Sequence, residues 1–273
     1  MSLHTYLLIF FAFTLLQINA QPVRQLRPIL EFKMPRGEGD NGGTIAINLK
    51  NRNYYATIAG KKTYSMAIFN GAGEMISPAD LVLLYDIRGL WYHPVQKTFF
   101  ANGFGTIGWV KYTIDDAGIP YDANPVFEGQ RQPFPQSVGQ FSQKENLVYF
   151  LKGSSALAFD AVTGNPVPEK NKLLRIGYNR KNPPPPNQNI DSFSVRADYN
   201  TTTLIYTGIP QSEFGMLNIK TKEIELYGAA DGLMSSRLKI PEEVPVKDKL
   251  NFAFCNNFYW LYDNNKRSWI GLR

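Results

Sequence analysis

Cysteine and histidine are nearly absent from this chain: 273 residues hold one cysteine, Cys255, and two histidines, His4 and His93. A single cysteine excludes any disulfide within the chain. It also excludes structural zinc sites, which are built from several Cys and His ligands. Strong charge is lacking as well, since 29 Lys+Arg against 23 Asp+Glu leave +6 with no dense basic run. Nucleic acid is therefore not an expected partner. No apolar run reaches 18 residues, so no membrane span is expected. Nor is there a long segment with apolar residues at the helical spacing i, i+3, i+4, i+7.

One apolar run does stand out. Leu7–Leu16 (LLIFFAFTLL) is interrupted only by Thr14 and is followed by polar residues ending at Asn19-Ala20. This is the length and order of a secretory signal peptide, although no Lys or Arg precedes it. The expectation is residues 1–20 as signal peptide, residues 21–273 as one domain, and a secreted or periplasmic location. Gln21 in place of a cysteine argues against a bacterial lipid anchor. His4 leaves with the signal, so a serine or cysteine hydrolase would depend on His93 for its base. An exported chain without disulfides must be held by burial, and the remaining length suffices for a sizeable core.

The rest of the sequence repeats. A pair of aromatic or β-branched residues recurs after a polar turn at Tyr54-Tyr55, Phe99-Phe100, Tyr149-Phe150, Ile205-Tyr206 and Phe258-Tyr259, at intervals of 45, 50, 56 and 53 residues. Units of about 51 residues made of short β-runs point to four-stranded propeller blades. Lettering the strands of each blade a to d from the inside, the first unit is expected to end in a d strand near Met75–Leu84. The third has its d strand near Lys172–Ile176. The fourth is expected to run Ser192–Ala197, Leu204–Thr207, Gly215–Lys220 and Glu223–Tyr227. The fifth holds only three strands, and Pro28–Lys33 (PILEFK) near the other terminus supplies the fourth, closing the ring. The fold class is thus all-β, a five-bladed propeller closed by an N-terminal strand. Six blades are the alternative if 166–190 hides further strands.

Turn chemistry agrees with this layout. Lys50-Asn51-Arg52-Asn53, Gln143-Lys144-Glu145-Asn146, Asp198-Tyr199-Asn200 and Asn256-Asn257 sit where a turns into b, with Asn and Asp suited to left-handed backbone. After strand c come Asn70-Gly71-Ala72-Gly73, Asp115-Asp116-Ala117-Gly118 and Asp160-Ala161-Val162-Thr163-Gly164. These c–d turns resemble the generic repeat of secreted YVTN and NHL propellers, a resemblance that implies the fold and no particular activity. The Trp-Asp and Gly-His pairs of WD40 repeats and the double glycine of kelch blades are absent.

In a propeller the d-to-a and b-to-c connections share one face. An acid precedes strand a in four units: Asp40, Asp86, Asp191 and Asp248. Such carboxylates would bind a cation or sugar hydroxyls, or act as an acid/base pair. Alternatively they are inherited turn residues. Lys61, Lys62, Lys152 and Lys266-Arg267 lie on the same rim, either as solvated charges or as a surface for an anionic ligand. No cofactor is required, and a calcium ion in the channel is the one this pattern allows. His93 falls beside the a–b turn on the opposite face, where packing is expected. Cys255 is expected to be buried. Pro183–Pro186 with Arg175, Arg180 and Lys181 form a stiff basic connection that is either a solvated loop or a docking element. Asn200-Thr201-Thr202 is a glycosylation sequon on a turn.

No nucleophile elbow, phosphate loop or His-rich cluster is present. The expected function is an exported, non-catalytic recognition module, acting as a monomer and holding a protein or glycan partner at the channel mouth. The alternative is a propeller hydrolase, a glycosidase or cation-dependent lactonase, working through Asp40, Asp86 and Asp191. That alternative rests on fold-level analogy.

Overall fold

The computed structural model describes residues 23–35, 41–60, 64–185 and 197–273. The chain enters as β1 (Val23–Gln25) and β2 (Pro28–Lys33). Blade 1 follows with β3 (Asn41–Ile47), β4 (Tyr54–Ala59), β5 (Tyr64–Phe69) and β6 (Val82–Leu83). Blade 2 is β7 (Ile87–His93), β8 (Thr98–Gly103), β9 (Trp109–Ile114) and β10 (Pro120–Phe127). Blade 3 is β11 (Gln140–Ser142), β12 (Leu147–Lys152), β13 (Ser155–Asp160) and β14 (Lys172–Leu173). Blade 4 holds β15 (Tyr199–Tyr206), β16 (Phe214–Asn218), β17 (Glu223–Tyr227) and β18 (Met234–Lys239). Blade 5 holds β19 (Phe252–Cys255), β20 (Phe258–Asp263) and β21 (Ser268–Leu272).

Strand pairing makes this a five-bladed propeller. The inner strands β3, β7, β11, β15 and β19 contact one another in sequence and β19 returns to β3, so the ring is closed. The closing strand is the expected one: β2 pairs antiparallel with β21, Phe32 opposite Trp269. A second N-terminal strand, β1, runs parallel along the outer edge of β18, with Val23 opposite Arg237. Leu26, between β1 and β2, is buried in the core between blades 4 and 5. The N-terminal segment therefore covers the edges of two neighbouring blades, where open edges would invite further pairing. Each of the five seams between blades has its own apolar cluster, as expected of sheets that bury both faces.

Three expectations change. Blade 1 has an outer strand of two residues, β6, plus a single bridge from Phe69 to Met75, in place of a strand over Met75–Leu84. The outer strand of blade 3 stops at Leu173 rather than Ile176. Blade 4 is shifted by one strand: the segments expected as b, c and d are a, b and c, and β18 is the true outer strand. Ile205-Tyr206 therefore lies on an inner strand, whereas the pairs it repeats lie on b strands. Residues 191–196, which cover most of the expected first strand, are outside the described residues. The a–b turns do carry the left-handed residue their geometry needs, but it is Arg52, Lys97, Asn146, Gln211 and Asn256 in turn, so only two are asparagine.

Candidate functional site

Of the four acids expected on the rim, Asp86 and Asp248 fall among the described residues. Both carboxylate oxygens of Asp86 are held by the guanidinium of Arg88, Nη2 lying 3.0 Å from Oδ2 and Nη1 bonding Oδ1. Oδ1 also accepts the backbone N–H of Gly60 at 3.1 Å. Arg88 is 2% exposed, donates Nε to Gln136 at 2.6 Å, and lies 4.7 Å from the centre of the Phe104 ring. Asp86 immediately precedes β7 and Arg88 is its second residue, a spacing of two that turns both side chains to one side of extended chain, so the sequence did carry a signal for this pairing. Asp248 is exposed at the seam of blades 4 and 5, where its carbonyl accepts the Thr201 N–H at 2.7 Å. Lys152 is exposed at the end of β12. Asp40, Asp191, Lys61 and Lys62 lie outside the described residues.

The same end of the ring is tied by amide clasps. Asn102 Oδ1 accepts the N–H groups of Gly89 and Gly139 at 3.0 and 2.9 Å, and Nδ2 donates to Gln132 Oε1 and the Ser137 carbonyl. A Cβ on Gly89 would lie 2.6 Å from the Gly139 nitrogen, so glycine is what allows blades 2 and 3 to meet this closely. Asn251 does the same between blades 5 and 1, accepting from Gly42 N at 2.7 Å and donating to Asn41. Asn200 serves blades 4 and 5, donating Nδ2 to the carbonyls of Lys247 and Leu250 at 3.0 and 2.9 Å. The sequon asparagine is thus a buried residue of an inner strand and not part of an exposed a–b turn. Buried amides must be paired, and these are.

Within the clasps, Ala59, Val138 and Leu250 pack into one buried cluster. Ala59 ends β4, and Val138 and Leu250 lie in the connections into blades 3 and 5, both bonded to Thr202 of blade 4, so the three converge at this end of the channel. The channel is therefore closed by an apolar plug on the d–a face, the face where the acids were expected to converge.

The opposite face is open. A cavity of about 160 Å³ on the axis is walled by Ile47, Trp91, Phe141, Tyr206 and Phe254, one from each inner strand in ring order, with Cys255 and Gln143 at its lip. It adjoins a groove of about 340 Å³ lined by Leu49, Lys50, Tyr92, Pro94 and Lys97, and shares Leu49 and Tyr92 with it. These inner-strand aromatics were legible as strand formers, but their convergence depends on five strands separated by about 50 residues of sequence. Burial pushes the Cys255 thiol well above its ordinary range, which makes it a poor nucleophile. His93 packs between Phe100 and Phe141, ring centres 5.8 and 5.5 Å away, and accepts the Gln96 N–H at Nδ1.

A second cleft, about 200 Å³, lies between blades 3 and 4 on the d–a face, with Leu151, Ile176, Tyr199 and Met216 as its apolar wall. Behind it, Glu225 accepts hydrogen bonds from the hydroxyls of Tyr199 and Tyr227 and from Asn218. Burial, then the neighbouring carboxylate, pushes both phenols up, so neither is a proton acceptor near neutral pH. Among the described residues no group of three or more His, Cys, Asp or Glu is placed to hold a metal ion.

No family model matches the chain, and no curated protein matches it in sequence. Solved structures align with it at low identity. One is a chain of a nidogen/laminin complex, with 12% identity and a TM-score of 0.39 over 71% of this chain and 62% of that one. Another is an auxiliary nutrient binding protein from Bacteroides thetaiotaomicron, with 11% identity and a TM-score of 0.44 over 87% of this chain and 60% of that one. This chain spans about three fifths of the length of each.

Proposed function

We propose that this chain is an exported, non-catalytic recognition module that holds a protein or glycan partner at the open mouth of its channel. The observation that carries the proposal is the axial cup, a concave surface lined from all five blades, in which Trp91, Phe141, Tyr206 and Phe254 stand beside polar Thr44, Gln140 and Gln143. Concave, mostly apolar sites with a few polar groups at the lip are the usual form of a binding pocket. The opposite face supports recognition less well, because its channel end is plugged and its amides are spent on clasps. The hydrolase reading asks Asp86 to act as acid, base or nucleophile, yet both its oxygens are engaged by Arg88 and Gly60. The export part of the proposal rests on the Leu7–Leu16 run.

The test uses residues 21–273 on glycan and peptide arrays beside a panel of glycosides and lactones. Binding that disappears in Phe141→Ala and in Leu49→Asp, and persists in Asp248→Ala, is the expected result. Turnover of a glycoside or lactone by residues 21–273 would overturn the proposal.

A further inference from the structure

The a–b turns around the cup carry four cations, Lys50, Arg52, Lys97 and Lys144, against two acids, Glu145 and Glu213. All four cations are exposed there, and none makes an ion pair among the described residues. Both acids of these turns are hydrogen-bonded to neutral donors. Glu145 accepts the Tyr149 hydroxyl at 2.9 Å, and Glu213 accepts the N–H groups of Gln211 and Ala229 at 3.0 and 2.8 Å. Two of the free cations, Lys50 and Lys97, flank the groove that continues from the cup over Leu49 and Tyr92.

Resting on the recognition reading above, we propose that cup and groove together accept an acidic peptide segment. One aromatic or bulky apolar side chain of the peptide enters the cup, and carboxylates beside it lie over Lys50 and Lys97. The size fits: a dry cavity of about 150 Å³ takes one benzene ring, and the cup measures about 160 Å³. The groove offers about 340 Å³ to the residues on either side and is walled by Leu49, Tyr92 and Pro94. The side chains of Leu49 and Pro94 offer a sugar's hydroxyls no hydrogen-bond partner, and a peptide's apolar side chain needs none. Free cations opposite carboxylates favour the right partner and speed encounter more than they deepen affinity, and salt weakens them.

The experiment is a random octapeptide array probed with residues 21–273, with affinities of the enriched peptides measured by Trp fluorescence and calorimetry. Enrichment of one aromatic or bulky apolar residue flanked by Asp or Glu is expected. The double reversal Lys50→Glu with Lys97→Glu should weaken these peptides about tenfold or more. An equal reversal on the other face, Lys220→Glu with Lys249→Glu, should change them less than about twofold. Peptides enriched without acids, or equal loss from both reversals, would overturn the acidic-peptide proposal while Leu49→Asp and Phe141→Ala still report binding at the cup. Uronic-acid oligosaccharides bound in place of peptides would overturn it too. If Leu49→Asp and Phe141→Ala leave all binding intact, the recognition reading itself falls.

Discussion

The ring of Phe32 lies 4.6 Å from that of Phe69 with planes 4° apart, and it stacks on Trp260 from the other side at the same distance. Phe32 belongs to the closing strand, Trp260 to blade 5 and Phe69 to blade 1. The strand that completes the last blade is therefore also the packing element that joins it to the first. Phe32→Ala should cost about 3–5 kcal/mol by the cavity it leaves, read as a lower denaturant midpoint at unchanged slope. A chain starting at Leu26 loses only the exposed strand β1 and should melt close to residues 21–273. A chain starting at residue 35 should melt far lower; equal melting of the two would show that β2 does not hold the ring.

Arg88 gives a second test. Its guanidinium is buried and depends on the Asp86 carboxylate. Asp86→Asn should destabilise the fold by about 3–5 kcal/mol, because breaking one partner leaves a buried charge without compensation. Pairing it with Arg88→Met should restore much of the loss. Equilibrium unfolding of the three variants checks this, and a stable Asp86→Asn protein would show the pair to be dispensable.

Alkaline pH should unfold the chain cooperatively. Burial raises nine tyrosines, Tyr54, Tyr55, Tyr92, Tyr112, Tyr149, Tyr199, Tyr206, Tyr227 and Tyr259, the last to about 12. Unfolded tyrosine ionises near about pH 10. A folded-state value above the unfolded one means that the unfolded chain releases protons first as pH rises. The stabilisation from neutral burial is complete below about pH 10 and is lost above it. Phenolate absorbance should therefore rise together with loss of the β signal. Ionisation of all tyrosines in a still-folded chain would contradict the burial.

Asn200 tests the clasp between blades 4 and 5. Besides its two donations it accepts the Thr203 N–H at 2.9 Å. Asn200→Ala leaves the Lys247 and Leu250 carbonyls short of a donor and should cost about 1–3 kcal/mol, seen in the melting temperature. A glycan on Nδ2 would occupy the atom that makes these bonds. Mass spectrometry of the folded chain expressed through a eukaryotic secretory route should therefore find position 200 unmodified.

The register of blade 4 shows where pattern reading ran out. An apolar pair followed by a polar stretch occurs on both inner strands and b strands, so Ile205-Tyr206 imitated the repeat one strand early. The extra length lay in the long proline-bearing connection. The true outer strand, Met234-Ser235-Ser236-Arg237-Leu238-Lys239, is largely polar because it lies at a blade edge, and so it lacked the apolar signal sought. Asp86 shows the reverse: the Asp-Ile-Arg spacing holds its own partner two residues away, a local relation that the recurrence of acids across units does not express.

The sequence by itself determined the architecture: turns rich in Asn, Asp and Gly at nearly regular intervals, alternating strands, and an N-terminal segment matching the one unit with a strand missing. Those are local features, set by backbone preference and period. The tertiary structure decided which end of the channel is open. Val138 and Leu250 close one end, and Trp91, Phe141, Tyr206 and Phe254 line the other, through contacts between residues that only ring closure brings together. Each is an ordinary apolar strand or strand-end residue in its own segment. Their roles as plug and cup arise from five inner strands converging on one axis, a relation that no local period encodes.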